Sequence, residues 1–334
     1  MSVFAVTGAT GFIGAQVVRR LAARGDRVIA FGRRPAPELA ELPAVTYRPW
    51  ALPGALADAP QVDAVVHCAG TVTDWGPRSV FRQVNLEGTK TVLRTFAGAR
   101  RFVHVSTASV YDPRKPKRHV KEDAPYPAHY LNEYAHSKML AEIAVREVRL
   151  DAVILRPHAV YGRGEKKLLS RLVEARFLGT QLALGDGRNR VSVTHVDNLV
   201  HAIERAIDGS MCGTFNIADR VEPTVDELLQ AVLAAADLPA RIAYVPAAVA
   251  WPLSTAFEAI ALVLGLSHPP RLTRYVVAQL TQEYTLDLTA AVERLGYRPT
   301  RTYGEGVRET LAAEPLRTSS ITWESAAGNR SAER

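Results

Sequence analysis

Met1-Ser-Val-Phe-Ala-Val-Thr-Gly-Ala-Thr-Gly-Phe-Ile-Gly14 opens the chain, and its reading decides the fold. Ser2 to Val6 is a short, β-prone, mostly apolar run that stops at Thr7-Gly8. Gly8, Gly11 and Gly14 follow at spacings of three. Ala15 to Arg24 then carries Val17, Val18 and Leu21 on one helical face. Strand, glycine-rich turn and helix in this order open a dinucleotide-binding βαβ unit. Gly8 permits a turn at φ values closed to side chains. Gly11 lets the backbone approach a pyrophosphate, and Gly14 lets the helix pack against the strand. The unpaired N–H groups of the first helical turn face the phosphates. Thr10, Phe12 and Ile13, set among the glycines, are expected on the same cofactor face.

Arg27 to Phe31 is the second strand, and Gly32-Arg33-Arg34 follows it. An acidic residue there would accept from a free ribose 2′-hydroxyl. Arginine instead pairs with phosphate and stacks on adenine. Arg33 and Arg34 therefore favour NADP(H), with NAD(H) as the alternative. Val45 to Arg48 is read as a third strand and Ala55 to Ala59 as a short helix. Val62 to Gly70 is a buried strand whose small end, Cys68-Ala69-Gly70, lets backbone pass close to the cofactor. His67 fits packing and function equally well. Thr71 to Pro77 is a turn-rich loop, and Ser79 to Ala97 a long helix containing Asn85. Phe102 to Ser106 is a strand running into Thr107-Ala-Ser-Val-Tyr111. The proline-rich, charged stretch Asp112 to Ala128 reads as a loop.

Tyr134-Ala-His-Ser-Lys138 opens a helix that runs to about Arg149, so Tyr134 and Lys138 share a face. A phenol ordinarily titrates near ~10. A nearby ammonium is expected to lower that value and make Tyr134 a proton donor and acceptor near neutral pH. A hydroxyl from Thr107 or Ser106 could bond the same substrate oxygen. Taken with a dinucleotide, these groups describe a hydride-transfer site in which the protein handles the proton.

The joint set resembles the extended short-chain dehydrogenase/reductases, which include nucleotide-sugar epimerases, dihydroflavonol reductases and 3β-hydroxysteroid dehydrogenases. It comprises Thr7 to Gly14, His67-Cys-Ala-Gly70, Asn85, Val105 to Tyr111, Tyr134-x-x-x-Lys138 and Leu155-Arg-Pro157 through Val160-Tyr-Gly162. The resemblance implies Tyr134 as acid/base, Lys138 as its partner on the nicotinamide ribose, Thr107 as the catalytic hydroxyl and Asn85 as a structural and relay asparagine. It adds Val105, Ser106, Pro157, Ala159 and Val160 to the cofactor contacts. Thr71, Trp75, Thr107, His158 and Arg190 are the substrate candidates. The aspartate expected to meet adenine is missing from Trp50-Ala51-Leu52.

The implied fold is α/β: an N-terminal Rossmann domain with a doubly wound parallel sheet, then a smaller, mostly helical substrate domain. Residues 1–162 and about 190–220 would form the first, residues 163–189 and 221–314 the second, and 315–334 a disordered tail. Glu222 to Leu229 is a helix start. Ala247 to Leu266 is twenty residues with one charge, Glu258. A core or lid helix over an apolar substrate pocket is the favoured reading of it. A monotopic membrane contact and an oligomer interface stay open. Asp74-Trp-Gly-Pro77, Pro269 to Tyr275, Tyr284 to Asp287 and Leu295 to Pro299 resemble the 3β-hydroxysteroid-dehydrogenase-like branch, with its 3-oxoalkanoate reductases.

In 334 residues, 47% hydrophobic and 22% charged, a sizeable core can form. The net charge of +7 is scattered, and no nucleic-acid motif accompanies it. Cys68 and Cys212 make no disulfide or metal framework, so a reducing compartment is expected. With the first strand starting at once and no leader ahead of it, a cytoplasmic protein is expected. The sequence thus predicts an NAD(P)-dependent oxidoreductase, expected as a homodimer, that interconverts ketone and secondary alcohol in a hydrophobic small molecule. A nucleotide-sugar epimerase, dehydratase or 4-ketoreductase is the alternative. A non-catalytic NADP-binding protein ranks below both, and no metal is expected.

Overall fold

The computed structural model describes residues 2–313 apart from 166–167, 175, 178–179, 239–240 and 267. The expected tail after residue 315 lies outside the described residues. Seven strands form one parallel sheet in the order Gly213–Ile217, Val153–Pro157, Arg101–Val105, Ala64–His67, Val3–Thr7, Arg27–Gly32, Val45–Pro49. Chain order reverses at Val3–Thr7, which pairs with both Arg27–Gly32 and Ala64–His67; Ala5 lies opposite Ile29 on one side and Val65 on the other. Two diverging connections leave a crevice at the carboxyl ends of these strands, where ligands of open α/β sheets bind.

The strands are apolar on both faces because helices cover both. Phe12–Ala23 and Val196–Asp208 bury Val17, Val18, Leu21, Leu199 and Ile203 against one face. Gly88–Thr95 and Glu133–Val148 bury Val92, Leu93 and Val145 against the other. Each such aliphatic side chain, fully buried, contributes about 1.5–3 kcal/mol. A third apolar cluster gathers Tyr111, Leu169, Val191, Val193, Leu229, Leu286 and Val307 beyond the strand ends.

Three readings change. The helix expected at 55–59 is absent; turns and bends replace it, because Pro53-Gly54 and Pro60 punctuate a run too short to nucleate. The loop expected at 112–128 contains a strand, Lys117–Val120, which pairs in parallel with Tyr284–Leu286 from far along the chain. The helix expected over 79–97 begins as Arg78–Phe81, widens to a π-turn at Arg82–Glu87 and resumes at Gly88–Thr95. The π-turn carries Asn85.

Helix Val225–Ala235 starts with a complete capping box from Thr224 and Glu227. Ala247–Val263 is a helix, as its composition predicts, but it turns its apolar residues outward. No helix among the described residues is long and apolar enough to cross a membrane.

Candidate active site

The glycine loop lies at the sheet's reversal point. Gly8 has φ +69°, and a Cβ there would sit 2.7 Å from Ala69 Cα. A Cβ on Gly14 would sit 2.3 Å from the Gly8 carbonyl oxygen. Both positions exclude any side chain on backbone grounds. Helix Phe12–Ala23 begins at Gly11 with no side-chain cap and no acidic residue in its first turn, so its leading N–H groups stay open to an anion. These features fit a dinucleotide's pyrophosphate.

His67 stitches this region together. Its Nδ1 lies 2.7 Å from Thr7 Oγ1 and its Nε2 2.9 Å from Thr89 Oγ1. Thr89 Oγ1 donates to the Asn85 carbonyl at 2.6 Å, so it accepts from His67, whose proton is therefore on Nε2. Burial holds this imidazole down at about 3, with the Lys138 charge acting the same way. It is a neutral brace across three elements.

Tyr134 stands in the first turn of helix Glu133–Val148, which Asn132 caps by accepting from Ala135 N at 2.9 Å. Thr107 stands beside the phenol and acts to lower it. Thr107 donates to Ser109 Oγ at 3.0 Å, and Ser109 Oγ lies 2.8 Å from Tyr275 Oη. Three hydroxyls, those of Thr107, Ser109 and Tyr275, thus form one bonded row, with Tyr134 beside Thr107 at its end. The expected lowering of the Tyr134 phenol is not found. Burial pushes it up, and Thr107 offsets only part of that. Lys138 instead responds strongly: burial brings its ammonium down to about 8, against the opposing pull of Glu142. Lys138 Nζ donates to Val105 O at 2.8 Å and lies 3.2 Å from His104 Nε2. An ammonium has three donors, so one is left for a ligand.

One cavity of about 880 Å³ joins these parts. Gly8, Thr10, Gly11, Phe12, Ile13 and Gly14 line one end, with Arg33 and Arg34 beside them. Cys68, Ala69, Gly70 and Thr71 line its wall, as do Tyr134, His158, Ala159 and Val160. Burial pushes the Cys68 thiol up to about 12, so it is no nucleophile. Trp50 and Leu52, from the stretch where the expected aspartate is missing, also line the cavity. Leu168, Leu169, Leu172, Val191, Val225 and Val276 make the opposite end apolar.

Other expected site residues are engaged by protein partners. Ser106 donates its hydroxyl to Glu142 at 2.5 Å. Val105 contributes its carbonyl to Lys138. Pro157 ends its strand beside the cavity-lining His158. Asn85 spends its amide on Thr71 N (2.7 Å), Thr71 O (3.1 Å) and Ser137 Oγ (2.8 Å), so it braces the cavity loop against the Tyr134 helix. His158 lies 2.6 Å from Ser192 O and 2.9 Å from Gln279 Oε1, stacked on Tyr284. Trp75 donates to Leu266 O at 3.1 Å. Arg190 donates to Glu222 O at 2.7 Å and is not among the cavity-lining residues.

Residues 4–218 match the model of the NAD dependent epimerase/dehydratase family. The chain belongs to that family. It is an NAD(P)-dependent oxidoreductase of the extended short-chain dehydrogenase/reductase type. The chain is 32% identical over 329 residues to a 2-alkyl-3-oxoalkanoate reductase of Stenotrophomonas maltophilia (strain K279a), covering 92% of this chain and 98% of that one. It is 28% identical over 267 residues to the decarboxylating sterol-4-alpha-carboxylate 3-dehydrogenase of Mus musculus, covering 75% and 74%. A UDP-glucuronic acid 4-epimerase from Bacillus cereus, solved with NAD, superposes with a TM-score of 0.71 at 19% identity over 93% of this chain and 98% of that one. That last likeness concerns the fold.

In this epimerase/dehydratase chain the sequence reading missed several polar cavity residues, among them Ser109, Tyr275, Gln279 and Arg271. Ser109 stood inside a quoted motif, and Tyr275 and Arg271 inside a quoted segment. Their convergence depends on packing across more than a hundred residues. His104, buried under Lys138, carried no local signal. Among the described residues, no group of three or more His, Cys, Asp or Glu could hold a metal ion.

Proposed function

We propose that the chain reduces a ketone to a secondary alcohol, reversibly and with NADP(H), in an apolar substrate of the 3-oxo acid or steroid-like class. The observation that carries this reading is the single cavity running from the glycine loop, past Tyr134 and Ser109, into the aliphatic end formed by Leu168, Leu169, Leu172 and Val276. Arg33 and Arg34, exposed where a ribose 2′-phosphate would lie, support NADP(H) over NAD(H).

The bound nicotinamide supplies the hydride. Tyr134 gives its phenolic proton to the carbonyl oxygen as the carbon becomes tetrahedral. The raised phenol keeps that proton available through neutral pH. Thr107 flanks the phenol, and Ser109 offers a second hydroxyl to the same oxygen. Lys138 keeps its remaining donor toward the cofactor ribose. Arg271, exposed on the cavity wall, suits the carboxylate of a 3-oxo acid. The nucleotide-sugar reading has less support, because Arg190 is engaged with Glu222.

The test is NADPH consumption with 2-alkyl-3-oxo acids, 3-ketosteroids and nucleotide sugars in parallel. Turnover confined to nucleotide sugars would overturn the substrate class.

A further inference from the structure

Helix Ala247–Val263 is built inside out. Its buried face is Ala250, Ser254, Glu258 and Ala261. Glu258, the segment's lone charge, faces inward and accepts from Arg274 N and Arg274 Nε, both at 2.6 Å. Outward stand Val249, Leu253, Phe257, Ile260, Leu262, Val263, Leu264 and Leu266, from 43% to 87% exposed. A water-facing helix carries the opposite pattern. Eight of the fifteen exposed large apolar side chains of the described residues lie in this one stretch.

We propose that this helix and its turn to Leu266 seat the protein on an anionic lipid surface, with the cavity mouth at that surface. Three observations select lipid over another protein. First, the outer face offers almost nothing to hydrogen-bond. Thr255 is exposed, yet its hydroxyl donates to Trp251 O at 3.0 Å within the helix. Protein interfaces carry about one hydrogen bond per 100–200 Å². The half-buried indole of Trp251 is the exception, and lipid–water boundaries favour such rings. Second, a cation follows the apolar run: Arg271 is exposed and makes no ion pair among the described residues, and the chain as a whole carries a net +7. That charge complements anionic headgroups. Third, the patch is continuous with the cavity. Trp75 ties the 71–77 loop to Leu266. Val72, 70% exposed, and Pro269 to Arg271 line the cavity at that junction.

Seventeen residues make a rod about 26 Å long, which lies in the interface plane rather than crossing it. If the substrate is apolar, as the proposed function has it, it can enter from the lipid without crossing water. The lipid contact itself does not rest on that reading.

The full chain is sedimented with vesicles of phosphatidylglycerol and phosphatidylethanolamine, and separately with phosphatidylcholine alone. The protein is expected to pellet with the anionic vesicles and more weakly with the neutral ones. The triple variant Leu253→Gln, Phe257→Gln, Ile260→Gln should lose about tenfold or more in partitioning, with melting temperature and NADPH binding unchanged. Val263→Glu, at the most exposed position, gives a second variant with a smaller loss in the same direction. Absence of pelleting with either vesicle overturns the proposal. So does a dimer that the triple variant dissociates while vesicle binding is unaffected, since a second copy would then cover the face. NADPH binding and turnover of a water-soluble ketone, recorded on the same preparations, keep a failed catalytic reading distinct from a failed lipid contact.

Discussion

Tyr134 and Lys138 carry opposite burdens from one burial. The phenol is raised and the ammonium lowered, so both favour their neutral forms. Tyr134→Phe should reduce turnover at least about 10²-fold while NADPH still binds by fluorescence titration; retained turnover would remove Tyr134 from proton transfer. Lys138 is charged below about 8 and neutral above. Reductive kcat/KM should therefore fall as pH rises through about 8, and the residual activity of Lys138→Met should lack that limb. The sign for stability runs the other way. The unfolded chain holds this proton up to 10.5, so between about 8 and 10.5 it binds more protons and stability rises with pH. Arg33→Ala should weaken NADPH by about 10- to 100-fold, the loss of a charged hydrogen bond, and NADH hardly at all; equal losses measured by titration calorimetry would contradict the 2′-phosphate assignment. These residues were legible in the sequence because their signals are local: glycines three apart, and a tyrosine and lysine four apart. Tyr275 was not, because it meets Ser109 from 166 residues away.

At the scale of elements, burial decides what a pattern cannot. Ala247–Val263 was legible as an apolar helix, but composition carries no direction, and only packing places Glu258 inward. The π-turn at Arg82–Glu87 was equally hidden, since its sequence is that of an ordinary helix. Its consequence is positional: it brings Asn85 under Thr71 and beside Ser137, joining the cavity loop to the helix of Tyr134. Asn85→Ala leaves the Thr71 amide and carbonyl without these partners and should lower stability by about 1–3 kcal/mol in urea unfolding. It should also lower kcat, because the brace positions Tyr134 without touching its phenol.

Across the whole molecule, one buried ion pair joins the two ends of the site. Arg156 and Glu142, with side chains 1% and 0% exposed, pair at 2.7 Å between the strand before His158 and the helix of Tyr134. Tyr111, Tyr126 and Ser106 complete their bonds from neighbouring segments. Burial would raise the Glu142 carboxyl, but Arg156 prevails and holds it below its usual 4.5. Its contribution is thus full above about 4.5 and lost as pH falls through the folded value. Arg156→Met leaves that buried carboxylate with the partly exposed Arg146 as its remaining cation and should destabilise by about 3 kcal/mol, read as a lower urea midpoint. The sequence showed Arg156 only as part of a motif, and nothing in one strand names its partner in a helix. The parallel sheet was legible strand by strand; the pairing of Lys117–Val120 with Tyr284–Leu286 was not, because each run is short and its partner distant.

The His67 brace offers a clock. Its Nε2 proton is enclosed between sheet and helix, with Thr89 as acceptor and no path to water while the strands stay packed. In deuterated solvent that proton can leave only when this part of the sheet opens. Its slow disappearance from the nitrogen-15 spectrum would time the breathing of the glycine loop's foundation. A dinucleotide that bridges Gly8 and Ala69 should slow that clock, reporting cofactor grip without any turnover.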